Sequence, residues 1–252
     1  MSSSPAGPVE QSTGARLPAA FGSLHAEELP AWLPPVLVTL HAGYAADSDD
    51  SAATRWAHRL AGLVAERGAP LPFEVLHDWQ ARTVLPMAAE VGVPVADLQR
   101  LHARAAAGER VAEADWRAAL EPALRELYRH AYDYAEAYAS AHASASAYAR
   151  DNAFTEQGAA SFAESYAATS AGANRDSFAE ANAVANAAVL AAAYAAADPQ
   201  AHAEAYPFAL VQACAHAWAN AVGDPPPADG PARRRQLAYA RLANGLADSC
   251  AG

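Results

Sequence analysis

Glu126, His130 and Asp133 stand at i, i+4 and i+7 of one uninterrupted segment, so a helix there turns all three toward one face. A carboxylate beside an imidazole is proton-transfer chemistry: Asp133 would orient the ring and His130 would take or give the proton. With Arg125 and Arg129 alongside, the same face equally suits a solvated set of ion pairs. Tyr134 and Tyr138 follow one turn apart, and their phenols would hydrogen-bond a reacting group. The expected catalytic set is therefore His130, Asp133, Tyr134 and Tyr138. These residue types leave the reaction open among isomerisation, cyclisation, elimination and hydrolysis.

A second group suits ligand contact. His142 extends the tyrosine face, and Asn182 and Asn186 lie one turn apart in a segment otherwise small or apolar. Paired amides in such a setting serve as interhelical hydrogen-bond partners or as ligand contacts. His202 and Tyr206 form a further one-turn pair after Pro199, while His216 lies some 20 Å beyond His202 along a continuous helix. The expected ligand-binding residues are His142, Asn182, Asn186, His202 and Tyr206.

Glu126, His130, Glu136, His202 and Glu204 could supply oxygen and nitrogen ligands to a cation, and Glu74 and His77 have a carboxylate–histidine spacing. There is no His-Glu-x-x-His motif, phosphate loop or GxSxG nucleophile signature, so the residues assign no metal ligands and name no cofactor.

The elements that must position these groups are helices. Hydrophobic residues make up 53% of the 252-residue chain, much of it alanine, which favours helix and adds little apolar area. Residues 134–148 alternate with alanine at a strand-like period of two, but alanine's propensities and the length of the run outweigh that pattern. The expected fold is all-α: a multi-helix globular bundle with long Ala-rich packed helices. Trp32, Trp56, Trp79, Trp116 and Trp218 are expected to fill the space that small side chains leave.

The divisions expected are a disordered tail over 1–28, a helical domain over 29–223 with its Ala-rich half at 122–222, a Pro-rich linker at 224–232, and a helix at 233–248 packed on the domain. Pro122 is expected to open one rod running to Arg150, and Asn174 to Asp176 to separate two later Ala-rich helices.

A net charge of −11 argues against nonspecific nucleic-acid binding, which depends on neutralising phosphates. No segment has the apolar length to span a bilayer, two cysteines make no disulfide framework, and the opening residues lack a secretory pattern. The expectation is a cytoplasmic protein, with a homo-oligomer compatible. The leading functional expectation is small-molecule binding, with or without catalysis, in an interhelical pocket lined by Tyr, His and carboxylate groups. The alternatives are a noncatalytic interaction or assembly protein and a carboxylate/histidine metal-dependent protein.

Overall fold

The computed structural model describes residues 16–22, 24–45, 50–67, 71–132, 134–221 and 230–252, without the side chains of 50, 134–136 and 231. Every regular element among them is helical: α1 (Leu33–Ala45), α2 (Asp50–Arg67), α3 (Glu74–Trp79), α4 (Leu85–Glu90), α5 (Ala96–Ala106), α6 (Glu113–Ala131), α7 (Tyr134–Asp151), α8 (Glu156–Ala196), α9 (Pro199–Glu204), α10 (Pro207–Asn220) and α11 (Gly230–Ala251). The alternating segment is thus helical, as alanine's propensity requires.

The long helix lies elsewhere than the sequence pattern suggests. Pro122 sits inside α6, and Tyr132 ends that helix in extended backbone, so no single rod runs to Arg150. The rod is α8, whose 41 residues span about 60 Å. Neither Gly158 nor Asn174 to Asp176 interrupts it. Thr155 caps its start by accepting from the Gly158 amide, 3.2 Å away. Ala197, left-handed at φ 51°, closes its other end, where Arg110 donates to the carbonyls of Ala195 and Ala196.

Part of the segment expected as a tail is structured among the described residues. Short 3-10 turns at Ala19–Phe21 and Ala26–Glu28 lie before α1, and Phe21 is fully buried against Trp56 and His41. The expected linker falls largely on residues outside those described.

The C-terminal half of α8 packs along α6, and α10 and α11 close the other side. Trp32, Trp79 and Trp116 are fully buried, with Leu37, Leu60, Leu190, Leu242 and Leu246 among the core side chains. Two tryptophans fix α11: Trp56 donates to the Ala243 carbonyl at 2.7 Å and Trp79 to that of Leu242 at 3.0 Å. Glu90 receives both guanidinium nitrogens of Arg241 and the Trp218 indole N–H, tying α4 to α11 and α10. Gly43 lets α1 approach α11 so closely that an added Cβ would stand 2.2 Å from the Tyr239 ring. Between α3 and α4, Gln80–Val84 form a π-helical turn. Among the described residues, no helix is long and apolar enough to cross a membrane.

Candidate functional site

An open cleft of about 620 Å3 lies where α6, α7, α8, α10 and the start of α11 meet. Its position follows from the break at Tyr132: α7 leaves α6 there, and the side of α8 facing the gap carries Phe178, Asn182 and Asn186 at helical spacing. Tyr128 and Tyr132 enter from the end of α6, Gln212, His216 and Asn220 from α10, and Arg235 from α11. The rings of Tyr132 and Phe178 lie 5.8 Å apart at 41° and form one wall.

The polar groups are anchored in different ways. Asn186 donates its amide N–H across the helix interface to the Tyr128 hydroxyl at 2.6 Å. Burial raises the Tyr128 pKa above the usual phenol range, so the ring keeps its proton and has an O–H to donate in turn. Asn182 bonds within its own helix, to the Phe178 carbonyl at 2.8 Å. Asn220 reaches the carbonyls of His130 and Ala131 at the end of α6 and so bridges α10 to that terminus. No carboxylate lines the cleft among the described residues, so the carboxylates expected in an interhelical pocket are not among its described groups.

Of the expected catalytic set, only His130 and Tyr138 have described side chains, and neither lines the cleft. His130 is exposed, and it is its backbone carbonyl that receives Asn220. Asp133 and the Tyr134 side chain lie outside the described residues. Glu126 pairs with Arg129 at 2.7 Å, and Arg125 joins Glu121 and Glu180, which gives this face of α6 the character of an ion-pair network. Tyr138 stacks on His142 farther along α7, at 6.1 Å and 25°, beside Glu164 in a separate shallow depression.

Of the expected ligand contacts, Asn182 and Asn186 meet in the cleft, whereas His142, His202 and Tyr206 lie elsewhere. Tyr206 is 58% exposed and holds a left-handed φ of 52° at the start of α10. His202 is fully buried, and among the described residues neither ring nitrogen has a hydrogen-bond partner. Glu74 is exposed while His77 is buried, so that pair does not converge. Among the described residues, no three His, Cys, Asp or Glu side chains are grouped so as to hold a metal ion.

A buried aromatic centre brings His202 together with two histidines that sequence spacing does not connect. His77 of α3 and His102 of α5 face each other with their Nδ1 atoms 2.9 Å apart, one ring donating and the other accepting. Trp116 stacks on His77 at 5.6 Å, and Tyr194 lies 5.0 to 5.3 Å from all three imidazoles. Burial lowers the His77 pKa to about 4 and that of His202 to about 3. His102 is held well below the usual imidazole value, chiefly by burial, with neighbouring His77 and His202 acting the same way. All three rings are therefore neutral at pH 7.

Beside this centre a cavity of about 40 Å3, room for two or three waters, is bounded by His102, Tyr194, Gln80, Cys214 and apolar side chains. Burial pushes the Cys214 thiol up to about 12, and its sulfur contacts the Val84 carbonyl at 3.7 Å, so it is an inert core thiol. The signal that could have exposed His102 is its place one turn after Leu98, on the buried side of α5.

Comparison with protein-family models, with curated proteins and with solved structures finds no match to this chain.

Proposed function

We propose that the protein binds a small organic molecule in the cleft between α6, α7, α8 and α10. The observation that carries this reading is convergence: groups from five helices border one open volume of about 620 Å3, within the size range of small-molecule sites. Tyr132 and Phe178 offer ring surface to an apolar or aromatic part of the ligand. The Tyr128 hydroxyl, polarised by Asn186, offers a hydrogen-bond donor. With Arg235 on the rim and no carboxylate among the described lining residues, the cleft favours neutral or anionic ligands over cations.

Binding, not proton transfer, is the chemistry these groups support. The histidines whose pKa values are displaced lie in the aromatic centre and not in the cleft, and burial holds them neutral and packed there. Ala209 lines the cleft and is exposed, so Ala209→Trp fills the volume without entering the core. Saturation-transfer NMR with a library of hydroxylated aromatic acids tests the reading. Signals from the wild type that Ala209→Trp abolishes support it, and equal signals from both proteins refute it.

A further inference from the structure

We infer that α7 and the N-terminal half of α8 form an arm through which two copies of this chain associate. Among the described residues, α8 is the only extensive packing partner of α7, and their shared seam contains Ala145, Ala149, Ala163, Ala167 and Ala171, all buried. The seam contributes one methyl group per residue. The larger apolar side chains of this pair of helices point outward instead.

Eight large hydrophobic residues are exposed among those described, and three of them lie on the arm or the turn joining its two helices: Tyr148, Phe154 and Tyr166. At the far end of the arm they form a continuous aromatic patch. Phe162 touches Tyr148, Phe154 and Tyr166 with ring separations of 5.9, 5.5 and 5.9 Å, while Tyr148, Phe154 and Tyr166 are 56%, 44% and 49% exposed. A contiguous exposed apolar surface of this kind marks an interaction site.

Charge argues for a second copy as the occupant. Between residues 137 and 174 the only Asp, Glu, Lys or Arg residues are Arg150, Asp151, Glu156 and Glu164, and 137–149 has none. A chain with a net charge of −11 repels its own copy over most of its surface, and this arm is where self-contact carries least repulsion. A basic partner would instead be drawn to the acidic remainder. The area suffices: α7 is about 27 Å long, and two adjacent helices present a face about 18 Å wide. Pairing two such faces covers about 1,000 Å2, the lower bound for a specific interface.

Sedimentation equilibrium of the full chain over a concentration series tests the inference. The wild type is expected to be a dimer with a dissociation constant of about micromolar order. Tyr148→Glu with Tyr166→Glu is expected to raise that constant about 100-fold or more, because both aromatic anchors are lost and like charges are brought together. Val189→Glu, outside the aromatic patch, should leave it within a few-fold of wild type. Circular dichroism checks that helicity is kept. If the double variant loses helix, Tyr166→Lys alone decides the matter and must weaken the dimer at least about tenfold. A wild type that stays monomeric overturns the inference, including one whose arm binds lipid vesicles or another protein instead. A dimer indifferent to the arm substitutions overturns it equally.

Discussion

Acidification should destabilise this protein earlier and more steeply than its carboxylates alone would dictate. His77, His102 and His202 are neutral and buried in the fold, and each returns to an ordinary pKa near 6.5 on unfolding. The folded pKa is lowered in each case, so the unfolded chain binds more protons. Stability is then complete above about pH 7 and declines as pH falls below 6.5. The loss continues until each folded ring itself titrates, at about 4 for His77 and about 3 for His202. His77 and His202 each lose about 1.4 kcal/mol per pH unit in that window, so at pH 5 the two together have lost about 4 kcal/mol, and His102 adds to the loss in the same direction. That loss approaches the lower end of the stability of a typical domain, roughly 5–15 kcal/mol. Urea titrations followed by circular dichroism at half-unit steps from pH 7.5 to 5 measure the slope, which should approach uptake of three protons on unfolding. His202→Phe removes one ring and two nitrogens that have no partner among the described residues, and should lower the slope by about one proton. A stability flat between pH 7.5 and 5, or a slope unchanged in His202→Phe, would show that these rings are not held neutral by burial.

Four further outcomes are expected. Asn186→Ala removes the bond to Tyr128 and should cost about 1 kcal/mol, a loss of about 2 to 4 °C in Tm, whereas Asn182→Ala, whose amide bonds its own helix, should melt within a degree or so of wild type. Gly43→Ala drives a methyl into the Tyr239 ring and should cost about 1 to 3 kcal/mol or more in denaturant titrations, separating α1 from α11. Leu190→Ala, at a fully buried position on α8, should cost about 2 to 5 kcal/mol by the same measurement. His130→Ala should keep wild-type helicity and cleft binding by NMR, since Asn220 meets the backbone at that position and not the ring.

The fold class was legible because alanine's helix propensity, the sparse prolines inside the Ala-rich segments and the apolar spacing of elements such as α2 all point one way. Helix ends were less so. Asn174 to Asp176 have the composition of a break, yet they continue α8 because Arg175 and Asp176 can face solvent while Ala171 and Ala179 stay buried. Pro122 has the look of a helix start, but α6 was already under way from Glu113 and carries the proline in its interior.

Part of the cleft could be read in the same way. Asn182 and Asn186 were conspicuous among small neighbours, but the partners Tyr128, Gln212 and Asn220 come from other helices, and spacing along one segment does not reveal convergence between segments. Glu126 and His130, the two described members of their pattern, show the converse. Good spacing on one helix produced an ion-pair face and an exposed ring, because nothing in the spacing specifies which face meets the core. The histidine centre was hidden for a third reason: a polar residue on an apolar helix face reads as an interruption until two others are seen against it.

The most direct test of the proposed binding function is where ligands settle when offered the whole surface. A crystallographic soak of the wild-type protein with fragments bearing an aromatic ring and a hydroxyl or carboxylate group provides that. The account predicts density beside Tyr132 and Phe178, with a polar atom within about 3 Å of the Tyr128 hydroxyl or the Asn186 amide. Fragments that gather elsewhere while the α6–α8–α10 cleft stays empty would contradict it.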